Sequence, residues 1–151
     1  MQNTMKKLFF LLLSGLMLFN ACGPAEDLAN EITDPEGVEM SLTWTNSATH
    51  PESSTDLELY VVQNFNYLIQ STKYNAFESV EITPGLLNNG TYSVEVYVDN
   101  ISLVTNYKIT LTGKSTGKTY TASFGPINAN DNNTSLKPLS LTVSGNKYSI
   151  Y

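Results

Sequence analysis

Apolar and polar residues alternate with a period of two from residue 38 to the end of the chain. The clearest runs span residues 38–44, 57–61 and 92–98, in which every second residue is aliphatic or aromatic. This period predicts strands that bury one face and expose the other. Shorter runs predict further strands at residues 67–69, 80–82, 107–111, 120–124, 139–143 and 148–150.

Turn-forming residues separate these runs, for example Pro84-Gly85, Asn88-Asn89-Gly90 and Gly145-Asn146. Asn and Gly accept the positive φ that tight hairpins require. No segment beyond residue 37 shows a sustained period of 3.6. Eight or nine short strands at this spacing predict one all-β domain over residues 38–151, a jelly-roll-like antiparallel β-sandwich.

The first 22 residues have a different pattern. Lys6 and Lys7 precede an apolar run over residues 8–19, and Ala21 precedes Cys22, the only cysteine. A basic start, a short apolar core and a small residue indicate a secretory signal that is too short to span a membrane. With Cys22 directly after the break, the segment resembles a bacterial lipoprotein signal. The alternative is an ordinary secretory signal with an incidental cysteine.

This resemblance implies that residues 1–21 are removed and that Cys22 becomes an acylated, palmitate-bearing N-terminus. Residues 23–27, Gly-Pro-Ala-Glu-Asp, are similar to the export signal of surface lipoproteins in Bacteroidota-type bacteria. That similarity implies an outer-membrane protein that is lipid-anchored and faces the cell exterior. Residues 22–37 are rich in acids and prolines and poor in apolar residues, which predicts a flexible tether.

Net charge limits the partners of the mature chain. Removing Lys6 and Lys7 leaves six of the eight lysines against 14 acids, a net charge of −8, and the sequence contains no arginine. Nucleic acids and anionic headgroups need a positive patch, so we expect no nucleic-acid partner. Membrane attachment is therefore expected to come from the acyl chains.

Three strand segments resemble the bacterial pre-peptidase C-terminal domain. They are Leu-Thr-Trp at residues 42–44, Asp-Leu-Glu-Leu-Tyr-Val-Val at 56–62 and Gly-Thr-Tyr-Ser-Val-Glu-Val at 90–96. The resemblance implies a jelly-roll-like accessory module of the kind found in secreted enzymes, with a binding or solubilising role and no catalysis. Glu58 replaces the second Asp of the family pattern, and no peptidase domain accompanies the module in this sequence.

The inventory of reactive residues argues against an enzyme. His50 is the only histidine and lies in a polar loop, and the sequence has no Gly-x-Ser-x-Gly motif, so a nucleophile–base pair is missing. The same shortage excludes a zinc site. A glycosidase with paired carboxylates stays open, because Asp56, Glu58, Glu81 and Glu95 fall on or beside predicted strands.

Hard oxygen ligands occur in two loops, around Asp99 and around Asp131. Carboxylate and amide oxygens suit calcium, so these loops are candidate metal sites, although no cofactor is required by the sequence. The alternative is the ordinary use of Asp and Asn in turns.

Two tyrosines are the main candidates for ligand contact. Tyr60 and Tyr97 alternate with core residues and therefore face away from the core. If their strands are neighbours, the two rings with Glu58 and Glu95 form an amphipathic surface that suits the face of a sugar. The alternatives are a cross-strand pair that only shields the sheet, or a binding loop over residues 64–78 that carries Phe65, Tyr67, Tyr74 and Phe77.

These observations predict a lipid-anchored, surface-exposed, non-enzymatic module that binds an extracellular glycan or protein. The alternative from a different class is a structural or assembly component of a bacterial cell-envelope complex.

Overall fold

The computed structural model of the chain describes residues 30–73 and 75–151. The predicted signal peptide, the predicted acylation site Cys22 and the loop aromatic Tyr74 lie outside the described residues. No helix in the described part of the chain is long and apolar enough to cross a membrane.

Ten strands form in the described residues, and they pair antiparallel in two sheets that pack face to face. The strands are β1 Glu31–Thr33, β2 Val38–Thr45, β3 Thr55–Gln63, β4 Asn66–Ser71, β5 Phe77–Ile82, β6 Gly90–Ile101, β7 Thr105–Gly113, β8 Thr119–Ile127, β9 Thr134–Ser144 and β10 Lys147–Ile150. The six-stranded sheet has the order β1-β10-β9-β6-β3-β4, and the four-stranded sheet has the order β5-β2-β7-β8. The predicted antiparallel β-sandwich is confirmed, with ten strands instead of eight or nine.

Hairpins join β3 to β4, β7 to β8 and β9 to β10, whereas the other connections cross from one sheet to the other. Such crossings are typical of jelly-roll-like sandwiches. They place β3 and β6, which are separated by two strands in the sequence, next to each other in the six-stranded sheet. This adjacency positions the candidate site.

The core lies between the sheets and follows the alternation of the sequence. In β2, the side chains of Val38, Met40, Leu42 and Trp44 are buried and the residues between them are not. Trp44 is only 3% exposed, and its indole Nε1 donates a hydrogen bond to the carbonyl oxygen of Thr55 at 3.2 Å. The indole therefore packs in the core with its one donor satisfied.

The predicted flexible tether is wrong for residues 30–37, which belong to the folded domain. Glu31, Ile32 and Thr33 pair with β10, and Ile32 is 1% exposed. Asp34 is fully buried, because the loop between β7 and β8 supplies hydrogen bonds to its carboxylate. The acidic composition favoured a solvated segment, but the buried side chain of Ile32 and the hydrogen-bonded carboxylate of Asp34 fix it to the domain. Residues 22–29 lie outside the described residues.

Candidate functional site

The predicted tyrosines and glutamates come together on the outer face of the six-stranded sheet. Strands β3 and β6 are neighbours, Glu58 lies opposite Tyr97, and Tyr60 lies opposite Glu95. Side chains directly opposite on an antiparallel pair are in contact range. On these two neighbouring strands, each tyrosine therefore lies opposite a glutamate.

A third tyrosine, Tyr67 of the edge strand β4, joins this face. Its ring centroid lies 4.9 Å from that of Tyr60, with an interplanar angle of 53°. Strict alternation would place Tyr67 on the same face as Ile69, which packs against the core. The β3–β4 pairing instead shifts between Val61 and Val62, so that Leu68 is an extra residue and Tyr67 turns outward.

Together these residues form an open groove of about 280 Å³. Its lining consists of Tyr60, Tyr67, Gln70, Tyr97 and Ser135. Gln70 lies opposite Tyr60 on β4, and Ser135 lies opposite Tyr97 on β9. The groove thus runs across four strands and combines three aromatic rings with an amide and a hydroxyl group.

Glu95 is buried next to the groove and is bonded to side chains of β9. It is 4% exposed, its Oε1 pairs with Lys137 Nζ at 2.8 Å, and its Oε2 accepts a hydrogen bond from Ser135 Oγ at 2.7 Å. Burial acts to raise the pKa of Glu95, but the bonds from Lys137 and Ser135 hold it below its usual range. Both carboxylate oxygens of Glu95 thus have a partner on β9, and Glu95 as a ligand contact stays a prediction.

Glu58 and Tyr60 form a second polar pair at the groove. The phenol of Tyr60 donates a hydrogen bond to Glu58 Oε2. Burial and this bond raise the pKa of Tyr60, so its hydroxyl stays protonated and acts as a donor. Tyr97 is less constrained, since its hydroxyl donates only a 3.4 Å bond to Asn133 Oδ1.

The charges beside the groove on β3 and β6 are acidic. Burial and the neighbouring charges of Asp99, Glu58 and Glu78 raise the pKa of Asp56 to about 6. Because Lys137 neutralises Glu95, the field at the groove comes from Asp56, Glu58 and Asp99. A polyanion would be repelled at this surface.

The four carboxylates considered for hydrolysis do not converge on one cleft. Glu81 lies on the four-stranded sheet and pairs with Lys114 at 2.7 Å. Glu95 is held by Lys137, and its lowered pKa makes it a poor proton donor. His50 is exposed in its loop, with its Nδ1 3.4 Å from Glu52.

The two loops considered for calcium use their acids differently. Asp131 Oδ2 accepts a hydrogen bond from the backbone N–H of Asn128 at 2.8 Å and completes a capping box on a short 3-10 turn. Asp99 is exposed at the end of β6. Within residues 30–73 and 75–151 there is no group of three or more His, Cys, Asp or Glu arranged to hold a metal ion.

Comparisons of the chain with protein-family models, with curated proteins and with solved structures found no match. The resemblance to the pre-peptidase C-terminal domain therefore remains a prediction from the pattern of three strands.

Proposed function

We propose that this protein is a lipid-anchored, non-enzymatic binding module on the bacterial cell surface that holds an extracellular glycan. Anchoring through Cys22 to the outer membrane is supported by the signal-like sequence of residues 1–22. The glycan is supported by the groove on the six-stranded sheet. Each part of the proposal has its own test.

The observation that carries the proposal is the convergence of Tyr60, Tyr67 and Tyr97 on one outward-facing groove. None of the three rings belongs to the buried core cluster. The C–H faces of a pyranose ring are apolar, whereas its hydroxyl groups need polar partners. Tyrosine rings with Gln70, Ser135 and Glu58 at their margins supply both.

The test is a glycan array and a polysaccharide pull-down with the full chain in a mild detergent. We expect a saturable signal that Tyr60→Ala/Tyr97→Ala reduces by at least tenfold, because two stacking surfaces are lost. Thr110→Ala/Thr121→Ala on the opposite sheet is the matched control and keeps the signal. A pull-down that the tyrosine variant leaves unchanged contradicts the assignment of the groove.

Anchoring is tested separately by mass spectrometry of the membrane-extracted protein. Acylation predicts that the mature chain begins at Cys22 and carries fatty-acid mass, and that Cys22→Ser releases it from the membrane fraction. A mature N-terminus elsewhere, without added mass, contradicts the lipid anchor.

An assembly role is the second candidate, and one observation favours it. Strand β8 is an edge of the four-stranded sheet, and none of its nine residues is charged. Uncharged edges are surfaces on which a further strand can pair. Co-purification of an envelope protein that is lost on Thr121→Lys, without any glycan signal, would favour assembly over glycan binding.

A further inference from the structure

The turn of the hairpin between β3 and β4 contains an exposed phenylalanine, Phe65. Asn64 and Phe65 form its two-residue turn, with φ values of 51° and 65°. Phe65 is 94% exposed, the highest value among the exposed large hydrophobic residues of the described chain. A phenylalanine ring is therefore presented to solvent on a left-handed backbone.

Folding does not explain a phenylalanine at this position. Two-residue hairpin turns with positive φ at both positions favour Asn-Gly, because Gly has no Cβ to clash in the left-handed region. Phe65 adds both this backbone cost and an exposed apolar ring, and it buries almost nothing in return. Strained residues of this kind tend to occur where a protein binds something.

The position of the turn connects Phe65 with the groove. Tyr67 follows it by two residues on β4, a distance of roughly 7 Å along an extended strand, and is itself 62% exposed. The ring of Tyr67 packs against that of Tyr60, with 4.9 Å between the ring centroids. Exposed aromatic rings therefore follow one another from the groove to the tip of the hairpin.

We infer that the groove and the hairpin tip form one extended site for a neutral polysaccharide chain, in which Phe65 supplies an outer sugar subsite. This inference rests on the proposed glycan-binding function. It adds the length of the site and the selectivity of the site for uncharged polymers. A chain that lies across Tyr97, Tyr60 and Tyr67 continues toward Phe65. Asp56, Glu58 and Asp99 beside the groove disfavour uronate-bearing and sulfated polymers.

The experiment is affinity gel electrophoresis of the full chain in a mild non-ionic detergent. The neutral probes are laminarin, glucomannan, xylan and hydroxyethyl cellulose, and the anionic probes are alginate and polygalacturonate. We expect at least one neutral probe to retard the protein and the anionic probes to leave its mobility unchanged. Phe65→Ala should weaken retardation about tenfold, the loss of one stacking contact.

Phe65→Gly separates binding from folding. It should weaken retardation as Phe65→Ala does, while its thermal midpoint rises by about 3 °C because Gly relieves the left-handed backbone. Val104→Ala, which truncates another exposed apolar residue in the connection after β6, is the control and should bind like the parent protein.

The outcomes distinguish this inference from the function on which it rests. If Tyr60→Ala/Tyr97→Ala abolishes retardation but both Phe65 variants bind like the parent, the extended site is wrong and glycan binding stands. Equal retardation by alginate overturns the charge selectivity. If no polysaccharide retards the protein, the proposed function fails; a Phe65-dependent affinity for phosphatidylcholine vesicles in its place would make the tip a membrane contact and overturn the sugar subsite.

Discussion

Carboxylates that look alike in the sequence have different environments on the same sheet. Glu95 is buried and is bound by Lys137 and Ser135 of β9. Glu58 is half-buried and accepts the Tyr60 hydroxyl at the edge of the groove. Asp56 has repelling neighbours and a pKa raised to about 6. The sequence pattern placed all three on strands, but the partners of Glu95 come from β9 and the charge of Asp99 beside Asp56 comes from β6, and both depend on the register.

Asp56 predicts a pH dependence of stability. The unfolded chain ionises this group near its usual pKa of 3.8, whereas the folded protein keeps the proton up to about pH 6. The contribution of Asp56 to the free energy of unfolding therefore falls between about pH 4 and pH 6 and stays low above that range. Asp56→Asn should stabilise the protein at pH 7.5 by about 1 kcal/mol, a value reduced for solvent screening of this half-exposed group, and should give no gain at pH 3.5.

Urea unfolding at pH 3.5 and pH 7.5 measures this difference. Asp99→Asn removes one repelling charge and should give a smaller gain of the same sign at pH 7.5. An equal effect of Asp56→Asn at both pH values would show that its charge is not responsible.

At the scale of elements, a buried carboxylate joins the first strands to the β7–β8 hairpin. Asp34 accepts hydrogen bonds from the backbone and hydroxyl groups of Ser115 and Thr116 and from the backbone N–H of Glu36, at 2.8–2.9 Å. Burial acts to raise the pKa of Asp34, but these bonds hold it well below its usual range. The charge is thus stabilised by donors on two separate loops.

Asp34→Asn should lower the thermal midpoint at pH 7 by roughly 10 °C, because an amide has only one acceptor oxygen and faces several N–H donors. Since the pKa is lowered in the folded state, the stabilisation by Asp34 is present above its usual value of 3.8 and is lost as the pH falls below it. Circular dichroism melts at pH 7 and pH 3 should therefore differ more for the parent than for Asp34→Asn. Glu36→Gln, an exposed neighbour that contributes only its backbone N–H, is the control and should behave like the parent.

The short strand β1 gives a prediction about the domain boundary. A protein that begins at residue 38 lacks Ile32 and Asp34 and leaves the edge of β10 unpaired. It should unfold at lower urea than one that begins at residue 30, with a loss of roughly 3 kcal/mol, and it should self-associate through the open edge. Equal urea midpoints and equal sedimentation of the two proteins would show that residues 30–37 belong to a flexible tether, as the sequence predicts.

Strands were predictable where alternation is long and unpredictable where it is short or broken. β2, β3 and β6 each bury a regular row of aliphatic residues, so their faces, and the outward positions of Tyr60 and Tyr97, followed from a period of two. β1 has only three residues, and its burial depends on β10 at the far end of the chain. The bulge at Leu68 places Tyr67 on the face of the sheet opposite to the one that strict alternation predicts, and no local sequence pattern indicates the bulge.

For the whole molecule, alternation and turn residues were sufficient to identify the antiparallel sandwich. They could not identify which strands are neighbours, because several strand orders satisfy the same pattern of buried faces. The adjacency of β3 and β6 brings Tyr60 and Tyr97 together, and the edge position of β4 adds Tyr67 and Phe65. The candidate site therefore depends on the topology, although the outward positions of Tyr60 and Tyr97 followed from the alternation alone.

The two faces of the sandwich differ in a way that matters for the proposed role. The six-stranded sheet carries the aromatic groove, whereas the outer face of the four-stranded sheet carries rows of hydroxyl residues such as Ser41, Thr110 and Thr121. Binding and assembly would therefore use different sheets, and one experiment separates them.

The most direct test of the account is a titration of the 15N-labelled body, residues 30–151, with the neutral polysaccharide that retards the full chain most strongly. The account predicts saturable chemical-shift changes in the amides of β3, β4 and β6 around Tyr60, Tyr67 and Tyr97, and unchanged amides in β8. Changes that cluster along β8, or a spectrum that stays unaltered at saturating glycan, would contradict it.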